Sequence, residues 1–211
     1  MYLAERIVLT QGIHAAEFVF AQRNAHLAKL LYNAALFRIR QTFTGWDKVS
    51  RTDHEQEVFE ELSLLRAAYP GLGIRRVLSY RVLEKLMRVT GNPDFFGGLP
   101  MQTAQAVVKA AVNDFTNWLK AMKAYKKEPS KFLGKPQMPY YCKKEQKSFA
   151  VTNQDAVLYP VYKKTEDGRQ PEAEYAGMEL KLPGIRHRLF LPHIPEDARL
   201  REVTVCPHYR K

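Results

Sequence analysis

Apolar positions along the chain follow two different rhythms. Between His14 and Lys127 they recur at steps of three, four and seven residues, the period of a helix face. From Lys131 onward they come in short alternating runs, the period of a strand. The stretch AAEFVFAQRNAHLAKLLYNAALFRIRQTF holds no Gly or Pro, and Phe20, Leu27, Leu31, Ala34 and Ala35 mark one face, so it predicts a long amphipathic helix. GWDKVSRTD interrupts it. Thr52 or Asp53 can cap a second helix through EVFEELSLLRAA, which ends at the breakers Pro70, Gly71 and Gly73. Ser79 caps a third, YRVLEKLMRV, and TGNPDFFGG reads as a loop. Pro100 suits the first turn of a fourth helix, where its missing N–H has no intrahelical partner. That helix continues to Lys127 with Ala104, Val108, Ala111, Phe115, Trp118 and Met122 on one face. Gln102, Gln105, Lys109, Asn113, Thr116, Lys120, Lys123 and Lys127 follow another.

The remaining segments predict strands. In YLAERIVLT, Leu3, Ile7 and Leu9 alternate with polar or small residues, and Gly12 and His14 close the run. SFAVT, AVLYPVY, MELKLP, RLFLP and REVTVCP are short apolar runs divided by turn chemistry such as EDG at Glu166–Gly168. In MELKL, Met178, Leu180 and Leu182 alternate with Glu179 and Lys181. The expected fold class is therefore α+β: a small closed or half-closed β-barrel with an inserted α-helical lobe. Residues 1–13 give its first strand, 14–129 the helical lobe and 130–211 the remaining strands. A barrel is the economical way for so few strands to remove their edges.

Charge changes this picture from a fold to a class of partner. The 211-residue chain is long enough to bury a core, and 45% of it is apolar. It carries 33 basic and 22 acidic side chains, a net +11. Residues 1–119 hold 14 against 11, whereas residues 120–211 hold 19 against 11; between Lys120 and Lys147 nine lysines face two glutamates. So one-sided a field favours polyanions, of which nucleic acid is the commonest inside a cell. No run of eighteen apolar residues exists to span a membrane. Glu5 and Arg6 break the apolar start, so it does not read as a signal peptide. Cys142 and Cys206 stand far apart with no CxxC, which points to a reducing, cytoplasmic setting and to neither a disulfide framework nor a zinc site.

Catalytic constellations are not found. The six histidines form no HxxxH or HExxH, and there is no GxSxG or GxxxxGK[ST]. Asp53, Glu55, Glu57, Glu60 and Glu61 cluster at a predicted helix start, where the dipole favours acids. No acid ends a buried-looking strand as a two-metal nuclease would need. The chain thus presents no catalytic residue, no metal ligand set and no cofactor motif.

The stretch from Gly134 to Phe149, GKPQMPYYCKKEQKSF, combines stiffness, charge and aromatic rings. Pro136 and Pro139 bias it to extended backbone. Lys135, Lys143 and Lys144 can neutralise phosphates, and Tyr140 or Tyr141 can stack on an unpaired base. Neighbouring strand residues face opposite ways, so one of the two tyrosines is expected to be a core residue capping the barrel. Lys109, Lys120 and Lys123 add charge on the fourth helix, and Gln102 and Gln105 near its start can pair with adenine N6 and N7 in a major groove. The bland reading is a solvated lysine face.

LLYNAALFRIRQ (Leu30–Gln41), LSYRVLEKLM (Leu78–Met87), the stretch from Leu99 to Tyr141 and SFAVTNQ (Ser148–Gln154) resemble the N-terminal half of the TnpB (OrfB) proteins of insertion sequences, transposase-associated relatives of type V CRISPR effectors. The resemblance implies a wedge-type β-barrel with an inserted helical recognition lobe, in a family of RNA-guided DNA endonucleases linked to transposition and DNA recombination. It implies that Tyr80, Gln102 and Gln105 approach the duplex carrying a short transposon-adjacent motif, and that Thr152 and Asn153 stand beside it. Lys135, Lys143 and Lys144 would then contact guide RNA or its heteroduplex by shape and charge. Met101 stands where some relatives carry a polar or basic residue. The family's RuvC nuclease domain, which would use Mg, and its zinc ribbon have no counterpart in REVTVCPHYRK at the end of the chain. The expectation is a recognition module for guide RNA and double-stranded DNA, served by a RuvC-bearing chain where cleavage occurs. The alternatives are a truncated, nuclease-dead DNA-binding regulator or remnant, and a protein-interaction scaffold.

Overall fold

The computed structural model describes residues 4–164 and 173–208. The described residues form an α+β fold of four α-helices and two small antiparallel sheets. The helices are α1 (Ala15–Gly45), α2 (Asp53–Ala68), α3 (Tyr80–Val89) and α4 (Met101–Lys127), followed by a 3-10 turn at Pro129–Lys131. The strands are β1 (Phe149–Thr152), β2 (Val157–Lys164), β3 (Ala173–Lys181), β4 (Arg188–Leu191) and β5 (Glu202–Val205). Two compact units form. One joins the residues up to Ala25 with those from Ser148 onward; the other is His26–Lys147.

The helical unit is built around α1. Ala28, Leu31, Tyr32, Ala35, Leu36 and Ile39 are all buried at helical spacing, and no residue from Leu27 to Phe43 is exposed. Val58, Leu62 and Leu65 of α2, Val82, Leu83, Leu86 and Met87 of α3, and Ala104, Val108, Ala111 and Phe115 of α4 supply the rest of its core. Phe43, Phe115 and Trp118 meet edge to face, with centroids 5.1 to 5.7 Å apart. Pro100 is the N-cap of α4 rather than a first-turn residue: its ψ of 138° is extended, and helical backbone begins at Met101. The loop after α3 is tied by Asn92, whose Oδ1 accepts from the N–H groups of Asp94 and Phe95 at 3.1 Å, an Asx turn that buries Phe95.

The other unit holds the strands. β2, β3 and β4 make one sheet, and β1 pairs with β5 in a second. Met178, Leu180, Leu189 and Leu191 lie on one buried face, Met178 opposite Leu191 and Leu180 opposite Leu189, as the alternation in MELKL requires. Pro160 is accommodated because β2 pairs on one side only. The register shifts between Val161 and Tyr162 opposite Gly177, whose φ is +140°. A Cβ there would stand 2.7 Å from the Leu191 carbonyl oxygen, so this bulge needs glycine.

Two expectations are corrected. Ala4–Thr10 form no strand; the segment ends in a turn closed by His14 N–H to Thr10 O at 2.9 Å, so its alternating residues find no ladder partner. The five later strands form a three-stranded and a two-stranded sheet among the described residues, not a closed barrel. They are too few and too short (three have four residues) to wrap onto themselves. The turn at Glu166–Gly168 lies outside the described residues.

The start of α2 carries a capping box: Thr52 Oγ1 accepts from Glu55 N–H, and the Glu55 carboxylate accepts from Thr52 N–H at 3.0 Å. Lys48 Nζ donates to both oxygens of the buried Glu55 at 2.7 and 2.9 Å. First the Lys48 hydrogen bonds, then that from Thr52 N–H, hold the Glu55 carboxyl down at about 2, against an ordinary 4.5. A carboxyl whose folded value is depressed contributes stability above its unfolded value, and loses it as pH falls toward the folded one. Glu55→Gln should therefore melt below wild type at neutral pH, with the gap closing as pH drops from about 4.5 to about 2. Thermal melts across that window check this; a gap independent of pH would contradict it. Thr52→Ala should cost about 1 kcal/mol.

Candidate nucleic-acid interface

The segment from Lys135 to Lys147 has no regular secondary structure, yet it is fixed to the helical unit along its length. Trp118 Nε1 donates to Pro136 O at 3.2 Å, Arg40 Nη1 to Pro139 O at 2.8 Å, and Asn33 Nδ2 to Cys142 O at 3.1 Å. His26 Nδ1 lies 3.2 Å from Glu145 O; a carbonyl only accepts, so that nitrogen carries the ring proton. Every third carbonyl, at 136, 139, 142 and 145, is therefore turned toward the helices. Three residues is also the period of polyproline II backbone, toward which Pro136 and Pro139 bias the chain locally.

The donors on α1 have a matching period. His26, Asn33 and Arg40 are seven residues apart, two helical turns, or about 10.5 Å of rise. Three residues of extended chain cover about 9 to 10 Å. The segment runs antiparallel to α1 and meets one donor per two turns. Asn33 also accepts from Cys142 N–H through Oδ1 at 2.7 Å, so its amide pairs with a peptide group as a neighbouring strand would. Arg40 lies over the Tyr141 ring at 5.0 Å and Lys147 over the Tyr32 ring at 3.8 Å. Tyr32 in turn donates to Asp114 Oδ2 at 2.7 Å. Burial, and then the Asp114 carboxylate, push the Tyr32 hydroxyl above its ordinary value, so it remains a donor.

With its carbonyls turned inward, the segment presents side chains outward. Lys135, Tyr140, Lys143 and Lys144 are exposed, and Lys135 and Lys143 have no acidic partner among the described residues. Tyr140 is 66% exposed and Tyr141 37%, so neither is the core residue that strand alternation led us to expect. The segment is not a strand, and its period is three rather than two. Lys109, Lys120 and Lys123 are exposed on α4, likewise without acidic partners among the described residues; Lys131 pairs with Glu128 at 2.5 Å.

The expected readout residues are placed as follows. Tyr80 is the first residue of α3, half-buried, its hydroxyl raised by burial and then by the Glu84 charge. Gln102 and Gln105 occupy the first turns of α4, half-buried, with no side-chain hydrogen bond among the described residues. Arg88 at the end of α3 reaches Met101 Sδ at 3.6 Å, while Tyr80 stands two turns earlier, about 12 Å along the helix. No bond joins Tyr80 to either glutamine among the described residues. Thr152 and Asn153 belong to the other unit, at the end of β1. There Thr152 O accepts from Asp155 and Ala156 N–H groups at 3.0 Å, and Asn153 N–H bonds Arg201 O at 3.3 Å, leaving the Asn153 side chain exposed. Among the described residues no group of three His, Cys, Asp or Glu side chains could hold a metal ion, and no helix is long and apolar enough to cross a membrane.

His26, Asn33, Arg40 and Trp118 were missed by sequence reasoning. The signal was the seven-residue spacing of three polar side chains along one helix. Comparison with family models, curated proteins and solved structures gives no match to the chain.

Because Asn33 satisfies both the N–H and C=O of Cys142, Asn33→Ala should strip hydrogen-exchange protection from the Cys142 amide and cost about 1 to 3 kcal/mol. Amide exchange read residue by residue checks this. Unchanged protection at Cys142 would mean that the segment is held by other contacts.

Proposed function

We propose that the chain is a nucleic-acid recognition module of the TnpB type, binding a structured guide RNA and a short motif in double-stranded DNA. The observation that carries the reading is the strap at Lys135–Lys147: a backbone fixed by its carbonyls, with Lys135, Lys143, Lys144 and Tyr140 exposed. Phosphates are bound without a conformational search when the cations are already in line. Lys135, Lys143 and Lys144 on the strap and Lys109, Lys120 and Lys123 on α4 serve as phosphate contacts; Tyr140 serves as a stacking platform. Gln102 and Gln105, whose amides make no hydrogen bond among the described residues, serve as base readers together with Tyr80, and Thr152 and Asn153 serve as DNA contacts of the other unit. In this reading the two sheets are the strand half of a wedge-type domain, and catalysis belongs to a RuvC-bearing partner.

Six phosphate contacts would lower affinity by about a thousandfold between 50 and 200 mM salt. Lys135→Ala with Lys143→Ala should weaken binding of every RNA alike and flatten the salt slope, whereas Gln105→Ala should weaken one DNA motif selectively. Filter binding and a randomised-motif selection read both. Absence of RNA and DNA affinity at low salt would overturn the proposal; equal effects of the lysine and glutamine variants on all sequences would remove the base-reading role.

A further inference from the structure

A second cationic and aromatic site lies away from the strap. Where α1 ends and α2 runs alongside, a cavity of about 480 Å³ is walled by Trp46, Arg51, Gln56, Phe59, Glu60 and Arg66. That volume is within the range of small-molecule sites. Part of its lining is preorganised. Arg51 Nε donates to Gly45 O at 3.0 Å, and its guanidinium lies over the Phe59 ring at 3.7 Å. Trp46 stands beside the same ring, centroids 6.2 Å apart. A guanidinium plane fixed on one face by an aromatic ring is a stacking surface on the other. Glu60 is held through one oxygen by Gln56 Nε2 at 3.0 Å, and its second oxygen has no partner among the described residues. Neither Arg51 nor Arg66 pairs with a carboxylate among the described residues.

We infer that this cleft holds a single unstacked guanine base, with its phosphate toward Arg66. The carboxylate decides the base. Guanine presents two adjacent donors, N1–H and N2–H, to one carboxylate. Adenine and cytosine place an acceptor nitrogen beside their amine, and uracil places one N–H between two carbonyls, so each meets Glu60 with a repulsive lone pair. The base can come from a free guanine nucleotide or from an unstacked position in RNA. The second source rests on the proposed RNA-binding function; the first does not.

Isothermal titration with GMP and AMP, and with a uridine oligomer carrying one guanosine, tests this. GMP is expected to bind at least 10-fold more tightly than AMP. Glu60→Gln should abolish that preference, and Arg66→Ala should weaken GMP without affecting guanosine. Phe59→Leu should weaken all purines, with circular dichroism confirming that each variant is folded. A guanosine-dependent gain in the oligomer that Glu60→Gln removes identifies RNA as the source; GMP binding without it identifies the free nucleotide. Equal binding of GMP and AMP, or GMP affinity unchanged in Glu60→Gln, overturns the inference. GMP binding that survives Lys135→Ala with Lys143→Ala, in a protein with no RNA affinity, would leave this site standing while the proposed function fell.

Discussion

Two turns of helix and three residues of extended chain cover nearly the same distance, and the helical unit depends on that coincidence. His26, Asn33 and Arg40 can each meet a carbonyl of the strap because the two periods run in step. Without the strap, α1 would have a polar stripe facing water; with it, the helix from Leu27 to Phe43 has no exposed residue. An antiparallel segment therefore does the work of a fifth helix. It also avoids a difficulty that a β-strand would create there, because this segment has no ladder to complete and its carbonyls are satisfied by side chains.

That arrangement links packing to the strap's outward face. Fixing a backbone residue costs about 1 to 2 kcal/mol of conformational entropy. Pro136 and Pro139 reduce the cost in advance, because prolines narrow the unfolded ensemble. The four carbonyl bonds and the two cation–ring contacts supply the remainder. Lys135, Tyr140 and Lys143 are then set in space by a segment that a loop of equal length would leave mobile.

Much of this was legible in the sequence, but not the part that matters most for the strap. Helix period, the caps at Thr52 and Ser79, and the alternation in MELKL locate α1 to α4 and β3 because each is a local signal. Ala4–Thr10 carried the same alternation and formed no strand, since alternation records which residues could face a core and not whether a partner strand is present. The barrel failed for the same reason: closure is a property of strand number and pairing, neither of which a single run encodes. The strap was read as a re-entry to the sheet, with a two-residue period for its tyrosines. Its true period comes from proline backbone and from donors about a hundred residues upstream, which a local reading does not connect.

The charge surplus divides by residue type once the contacts are known. Five arginines of the helical unit are engaged in holding it. Arg38 bonds Glu61, Arg40 the strap, Arg51 the Phe59 ring and Gly45, Arg76 the Phe43 ring and Asp47, and Arg88 the Phe95 ring and Glu84. The lysines of α4 and the strap have fewer such ties, although Lys147 lies over the Tyr32 ring. The division follows from chemistry. A planar guanidinium can stack and donate in several directions at once, so it suits fixed sites, whereas an ammonium on a flexible stem suits a backbone of phosphates whose positions vary. Arg51 belongs to both groups. Its Nε is bonded and its guanidinium lies over the Phe59 ring while it also lines the cavity, so the stacking that stabilises the end of α1 stands where a flat ligand could be met.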